Sequence, residues 1–160
     1  MLYRFTDEIP ASQLDRVVAA TLQRRLWIND ADYPDLPSWG ERLHRELADG
    51  FKHAMVAYNR RSVAGSVIFK QGDDPRVLNV RRIAIRPIEE GRGIASFLLR
   101  SAEVEAKRRF ADLQTVRVDA KVSNRAIRGF LNHSGYTITS IEDLYGLGAG
   151  MDAIYTKTIS

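Results

Sequence analysis

The segment Ile83-Ala84-Ile85-Arg86-Pro87-Ile88-Glu89-Glu90-Gly91-Arg92-Gly93-Ile94-Ala95-Ser96-Phe97-Leu98-Leu99 decides the fold of this chain. It begins as an apolar strand, passes through a turn with two glycines and continues directly as a helix. The first turn of a helix has unpaired N–H groups and a partial positive charge, so it can hold phosphate oxygens. Glycine lets the backbone approach a ligand without a Cβ in the way. Two glycines alone leave open whether this is an anion site or an ordinary strand-to-helix turn.

On the N-terminal side of this segment, β-branched and aromatic runs predict an antiparallel meander of strands. Two helices are expected before it, with Ser12 and Ser38 as N-caps followed three residues later by an acid, and Gly50 ends the second helix. Between the two helices, Trp27–Pro37 is predicted to be a loop. The predicted strands are Leu2–Phe5, Ala54–Tyr58, Val63–Phe69 and Val77–Ile85.

On the C-terminal side, apolar residues recur at helical spacing from Ala95 to Phe110, which predicts a long helix with one buried face. A second helix is expected at Asn124–Ser134, with Gly135 as its stop. The predicted strands here are Thr115–Ala120, Thr137–Ile141 and Ala153–Ile159. The order β-α-α-β-β-β-α-β-α-β-β predicts an α/β (α+β) fold: a mixed, mostly antiparallel central sheet of about seven strands flanked by four helices.

Composition narrows the class of protein. A chain of 160 residues, 44% of them hydrophobic, fits one domain over residues 1–160. The absence of cysteine excludes disulfides, thiolate metal sites and cysteine nucleophiles, and no metal site is expected. No apolar run reaches the ~20 residues of a membrane span, and Met1–Phe5 lacks a secretory layout, so a cytoplasmic protein is expected.

The net charge of +4 favours anionic partners weakly. The scattered arginines are explained either by solvated helix faces and loop tips or by a phosphate-rich cofactor or nucleic-acid-linked substrate. A nucleic-acid partner is not expected but stays open. Two nucleotide motifs are absent: the glycine turn lacks the third glycine of a Rossmann site and the Gly-Lys-Ser/Thr of a Walker loop.

Two motifs together make the resemblance to a family specific. Ile83–Pro87 followed by Glu90–Ala95 resembles the strand end and acyl-CoA signature Arg/Gln-x-x-Gly-x-Gly/Ala of the GNAT superfamily of N-acetyltransferases, matching at Gly93 and Ala95. Asn124–Tyr136 resembles that family's Asn-x-x-Ala-x-x-Phe-Tyr-x-x-x-Gly-Phe helix. The resemblance covers Phe51–Ile159.

The resemblance implies a cofactor, acetyl-CoA, and a role for each matched residue. Backbone groups of the strand end would pair with the pantetheine amides, amides of the glycine turn would bind the pyrophosphate, and one of the strand N–H groups would stabilise the carbonyl oxygen. Asn124 would hydrogen-bond the pantetheine, Phe130 would pack beside it, and Arg128 would either reach the phosphates or be an exposed helix arginine. The implied cofactor-binding residues are Ile83, Ala84, Ile85, Glu90, Gly91, Arg92, Gly93, Ile94, Ala95, Ser96, Asn124, Arg128 and Phe130.

The implied activity is an acetyl-CoA-dependent transfer of an acetyl group to a primary amine of a small molecule, protein or peptide. The alternative is a non-catalytic acyl-CoA-binding or regulatory module, and three departures from the family pattern favour it. Glu90 stands at the Arg/Gln position, where Arg86 or Arg92 would have to supply positive charge. Leu131 stands where many members carry a proton-donating tyrosine.

The third departure concerns the strand before the signature, which often carries a glutamate base. Asn79 and Arg81 are expected on the corresponding face here, and neither is a base at neutral pH. The catalytic residue therefore stays unknown. Substitutes for the missing tyrosine are Tyr136, His133 and Tyr145, each of which also has a structural explanation.

The acceptor side of the site is expected in the loop between the first two helices. Its aromatic and acidic residues would suit a cationic amine through ion pairing and cation–π contact, or they cap helices and fill the core. The candidate substrate-binding residues are Trp27, Asp30, Asp32 and Tyr33. The acceptor, the acyl-chain preference and the oligomeric state, including a homodimer common in the family, are left open by the sequence.

Overall fold

The computed structural model describes residues 3–22, 36–144 and 150–160. Within these ranges the chain forms seven strands and four α-helices. The strands are β1 Tyr3–Thr6, β2 His53–Asn59, β3 Ser62–Gln71, β4 Val77–Ile85, β5 Thr115–Lys121, β6 Thr137–Glu142 and β7 Asp152–Thr158. The helices are α1 Leu14–Leu22, α2 Leu36–Ala48, α3 Ile94–Arg109 and α4 Arg125–His133.

The strands make one mixed sheet in the order β1-β2-β3-β4-β5-β7-β6. Every neighbouring pair is antiparallel except β4 and β5, which are parallel. A parallel pair needs a crossover connection, and α3 supplies it. The predicted fold class and element order are confirmed.

Each face of the sheet has its own apolar core. On one face α3 and α4 pack over the centre of the sheet, and the predicted stripe of α3 is buried at Leu98, Leu99, Ala102 and Ala106. On the other face α1 and α2 cover the side of the sheet formed by β2 and β3, through residues such as Val17 and Leu43. The two faces of the sheet are therefore covered by different helices and have separate apolar cores.

Both predicted capping boxes are wrong. Ser12 lies inside a 3-10 turn, Ala11–Gln13, from which α1 continues at Leu14. Ser38 lies inside α2, which already begins at Leu36. A serine followed three residues later by an acid fits an N-terminus locally, but packing against the sheet decides where a helix starts. Gly50 does follow the end of α2, with φ of 75°.

The parallel pair β4–β5 separates halfway along its length. Pairing covers Val77–Val80 of β4 against Thr115–Val118 of β5, whereas β4 itself continues to Ile85. Ile68 of β3 pairs with Arg82 and Phe69 pairs with Val80, so Arg81 is an extra residue that makes a β-bulge in β4. The two strands therefore diverge beyond Val80 and Val118, and the sheet opens there into a split.

Candidate active site

The glycine turn between β4 and α3 has a backbone conformation that favours glycine. Gly91 and Gly93 both have φ of 77°, in the left-handed region, and Gly93 is the N-cap of α3. A Cβ built on either residue would meet no atom within 4 Å. Glycine is thus required here by the backbone angle rather than by crowding, and the first amides of α3 stay open on that side.

A cavity of about 230 Å³ lies where β4 ends, α3 begins and α4 passes. The described residues that line it are Ile83, Ile85, Glu89, Glu90, Gly91, Gly93, Ile94, Ala95, Ser96 and Phe130. Residues predicted from the glycine turn, the strand end and α4 are thus brought to one place. The lining has apolar walls and helix-terminal amides at one end, which suits a ligand with an anionic end and a less polar arm.

One edge of the β4 backbone is available beyond the split. Ile83, Ala84 and Ile85 pair with Val67, Ser66 and Gly65 of β3 on one side. On the other side, no described strand pairs with β4 after Val80. An extended amide chain entering the split would therefore find main-chain groups at strand spacing.

Glu89 is the acidic residue that the sequence reasoning missed at this site. It is 2% exposed and accepts hydrogen bonds from the Tyr3 hydroxyl, from Asn59 Nδ2 at 3.1 Å and from Arg86 Nη2 at 2.8 Å. Arg92 Nη1 lies 3.3 Å from the same carboxylate. The bond from Tyr3, with those from Arg86 and Asn59, outweighs burial and lowers the pKa of Glu89 to about 2.

These contacts revise the expected charge balance beside the glycine turn. Arg86 and Arg92, the predicted sources of positive charge, both face Glu89, with side chains 29% and 47% exposed. Arg92 Nη1 also donates to the Tyr3 hydroxyl at 2.9 Å. Two guanidinium groups around one carboxylate leave a net charge of one positive unit, which offsets the half-buried Glu90.

Unlike Phe130, the predicted cofactor-binding residues Asn124, before α4, and Arg128, on α4, lie away from the cavity lining. Asn124 is the N-cap of α4, accepting from the Ile127 N–H at 3.3 Å. Arg128 donates to the Tyr155 hydroxyl at 3.0 Å and to the Val122 carbonyl at 2.9 Å. The guanidinium of Arg128 is thereby held against β7 and the residue that follows β5, and neither Asn124 nor Arg128 is among the described residues that line the cavity.

None of the candidate proton donors that the structure describes lines the cavity. Tyr136 is 2% exposed and donates to Glu103 Oε2 at 2.7 Å, and burial together with Glu103 raises its pKa. His133 is exposed at the end of α4. Leu131 is fully buried in the core. Tyr145 lies outside the described residues, as do Trp27, Asp30, Asp32 and Tyr33.

The base-bearing face of β4 includes a residue that strict alternation does not predict. The bulge at Arg81 interrupts the alternation that starts at Asn79, and Arg82 is therefore also buried on the face towards α1. Its Nε donates to the Thr21 carbonyl at 2.6 Å. Alternation is a reliable guide only in strands without bulges, and the sequence does not mark this one.

A second residue missed by sequence reasoning is Asp119, on β5. It is the first residue of β5 after the pairing with β4 ends. Val118 and Ala120 are buried in the core beneath α3 and α4, so alternation directs Asp119 to the opposite face. Arg117 Nε lies 2.8 Å from its carboxylate, which fixes its orientation. The alternation in Thr115–Lys121 could have revealed it, had the split been known.

Next to Asp119 along the strand, Lys121 forms a buried ion pair. Its Nζ lies 3.1 Å from Asp152 Oδ2 on the neighbouring strand β7, and both side chains are 2% exposed. The Lys121 Nζ also donates to the Gly150 carbonyl. This pair joins β5 to β7 immediately beyond the split.

Over residues 3–22, 36–144 and 150–160, no three histidine, aspartate or glutamate side chains are grouped as metal ligands. No helix in that part of the chain is long and apolar enough to cross a membrane.

Comparison with protein families gives a match of residues 20–136 to the model of the acetyltransferase (GNAT) family. No curated protein matches the chain in sequence. Numerous solved structures have the same fold.

The first is an acetyltransferase assigned to the GNAT family from Desulfovibrio desulfuricans, 13% identical, with a TM-score of 0.81 over 99% of this chain and 100% of the other. The second is the PaiA N-acetyltransferase of Thermoplasma acidophilum in complex with coenzyme A, 18% identical, with a TM-score of 0.77 over 99% and 100%. The third is a variant of the spermidine N-acetyltransferase SpeG from Vibrio cholerae, 15% identical, with a TM-score of 0.71 over 98% and 93%. At these identities the likeness shows the fold alone.

Proposed function

Because the chain belongs to the GNAT family of acetyltransferases, which use acetyl-CoA, we propose that it transfers an acetyl group from acetyl-CoA to a primary amine. The observation that carries the proposal is the cavity in which the split of the sheet, the glycine turn and Phe130 meet. Bound acetyl-CoA supplies the activated acetyl group as a thioester.

The chain's own residues fit the two ends of this donor. The amides from Gly91 to Ser96 bind the pyrophosphate at the start of α3, where the helix dipole favours negative charge. The main chain of Ile83–Ile85 pairs with the pantetheine amides as an added half-strand. Phe130 packs against the pantetheine arm from the α4 side.

The same strand stabilises the charge that develops during transfer. An N–H of Ile83–Ile85 donates to the carbonyl oxygen as the amine attacks, and a fixed backbone donor needs no reorganisation at that moment. This role requires only main-chain geometry, so it does not depend on the side chains in which the sequence departs from the family pattern.

The amine reaches the thioester from the face opposite α3 and α4, and Asp119 lies on that face at the mouth of the split. Its carboxylate holds the acceptor, which first loses one proton to water to become a neutral amine, and accepts the second proton as the C–N bond forms and the C–S bond breaks. Leu131 has no proton to donate and Tyr136 is held by Glu103. Among the candidates that the structure describes, none reaches the leaving thiolate, which takes its proton from water.

The amine class is supported by the fold relatives, since one is named an N-acetyltransferase and another a spermidine N-acetyltransferase. The acidic and aromatic side chains between the first two helices, Asp30, Asp32, Trp27 and Tyr33, would favour a cationic acceptor. A basic small molecule or an amino-terminal peptide is therefore the first acceptor class to test.

The test has a binding arm and a turnover arm. Calorimetry measures the affinity for CoA, and release of CoA thiol from acetyl-CoA measures turnover against a panel of polyamines, amino sugars and peptides. Asp119→Asn is expected to lower kcat/KM for the amine by about 10²–10⁴ while CoA affinity is kept. Glu105→Gln, which breaks a surface ion pair with Arg108 on α3, is the control and is expected to behave as wild type.

No detectable CoA binding at high ligand concentration would contradict the donor half of the proposal. Turnover that survives Asp119→Asn would remove Asp119 from the mechanism. Tight CoA binding with no turnover on any amine would favour the non-catalytic acyl-CoA-binding module, which the absence of a proton donor at Leu131 already supports.

A further inference from the structure

Glu89 joins parts of the molecule that are distant in the sequence. Its partners come from β1 (Tyr3), the end of β2 (Asn59), the residue after β4 (Arg86) and the glycine turn (Arg92). Tyr3 and Glu89 are 86 residues apart. Glu89 is 2% exposed and is among the residues that line the cavity.

The glycine turn has little packing of its own. No atom lies within 4 Å of where a Cβ of Gly91 or Gly93 would be, and the side chain between them, Arg92, is 47% exposed. The contacts of Arg92 hold this part of the turn, because one of its guanidinium nitrogens contacts both the Tyr3 hydroxyl and Glu89. We propose that Tyr3 and Glu89 are positioning residues that hold the glycine turn in the conformation that binds the cofactor's pyrophosphate.

The proposal rests on the proposed function, because it assumes that the glycine turn receives CoA. Neither side chain needs to contact the ligand, since both act through Arg92 and the turn. Pre-ordering the turn removes an entropy cost that binding would otherwise include. The consequence is that β1, at the edge of the sheet, contributes to cofactor affinity.

The charge of Glu89 and its positioning role are expected to affect CoA affinity in opposite directions, which makes the proposal testable. Glu89→Gln removes a negative charge next to two arginines, which by itself would attract the pyrophosphate more strongly. It also replaces one of the two carboxylate oxygens that order Arg86 and Arg92 with an NH2 donor, which would weaken binding. Tyr3→Phe removes the shared hydroxyl and changes no charge, so it isolates positioning.

The experiment measures CoA affinity by calorimetry for wild type, Tyr3→Phe, Glu89→Gln and the surface control Glu105→Gln. Both test variants are expected to bind CoA roughly tenfold more weakly, the loss typical of one ordering hydrogen bond to a charged group. The control is expected to bind as wild type. In turnover, the two variants should raise KM for acetyl-CoA and leave kcat nearly unchanged.

Hydrogen exchange gives a second readout that a merely structural role would not move. If the turn and β1 are coupled, saturating CoA must also stabilise β1, because coupling is reciprocal. Exchange of the amides in Tyr3–Thr6 is expected to slow when CoA is added to wild type, and to slow much less in Tyr3→Phe.

The outcomes separate the two proposals. Wild type that does not bind CoA would overturn the proposed function. Wild type that binds, with a folded Tyr3→Phe that melts earlier but binds CoA equally well, would overturn the positioning role. Tighter CoA binding by Glu89→Gln would show that Glu89 is only an opposing charge, which also overturns it. If Glu89→Gln does not fold, Tyr3→Phe decides alone.

Discussion

Gly93 meets two demands at one residue. Its φ of 77° places it in the left-handed region, and it is the N-cap from which α3 begins. A Cβ there would have no atom within 4 Å outside its chain neighbours, so glycine is favoured by the backbone angle rather than by crowding. Two neighbouring acidic residues of the same segment differ in burial. Glu89 and Glu90 are adjacent in the sequence, but only Glu89 is fully buried.

Gly93→Ala is expected to lower the free energy of unfolding by about 1 kcal/mol, because an L-residue in the left-handed region is strained, and to weaken CoA binding as well. Gly129→Ala is the matched control: it makes the same chemical change inside α4, where a Cβ would also meet nothing within 4 Å. The free energy of unfolding of Gly129→Ala is expected to rise by about 0.5–1 kcal/mol. Urea unfolding of both measures the contrast, and equal effects would refute the argument from φ.

At the scale of elements, β5 and β7 are joined by the Lys121–Asp152 pair at the end where β4 has already diverged. Burying two charges is costly, and the pair compensates because each charge lies against the other. The position bears on the proposed function, since Asp119 precedes Lys121 on the same face of β5. Loss of the Lys121–Asp152 ion pair would therefore also change the structure at the mouth of the split.

Asp152→Asn is expected to reduce the free energy of unfolding by about 3–5 kcal/mol, because it leaves the Lys121 charge buried without its carboxylate. Asp74→Asn, which breaks the exposed pair with Arg76, is the matched control and is expected to change stability little. Thermal and urea unfolding give the comparison. If Asp152→Asn lowers the free energy of unfolding no more than the control does, the buried ion pair does not stabilise the fold.

Across the whole molecule, acid stability depends on carboxylates that are held ionised in the folded state. Glu89 is the clearest case, because its pKa is about 2 in the folded protein against an ordinary 4.5. A lowered folded-state pKa stabilises the fold fully above the unfolded value, and this contribution is lost as the pH falls towards the folded value.

The difference in unfolding free energy between wild type and Glu89→Gln is therefore expected to be largest at neutral pH and to shrink as the pH falls from about 4.5 to about 2. Urea unfolding at a series of pH values measures it. A difference that stays constant over this range would show that Glu89 has the same pKa in the folded and unfolded chain.

The sequence by itself determined the order of the elements, the strand–glycine–helix segment and the cavity wall near it, because helices, strands and glycine turns follow local periodicity and local backbone angles. It could not supply the helix starts at Leu14 and Leu36, the bulge at Arg81 or the length of the β4–β5 pairing. Those depend on packing between elements.

Only the tertiary structure placed Tyr3 against Glu89 and Asp119 at the mouth of the split. It also showed Arg128 and Tyr136 bound to structural partners away from the cavity lining. The reason is physical: a side chain's neighbours across a sheet come from residues far away in the chain, and no local pattern encodes which of them will meet. The sequence could predict a cofactor site because the proposed contacts use the backbone of one continuous segment, whereas the proposed positioning and proton transfer use side chains that only the fold brings together.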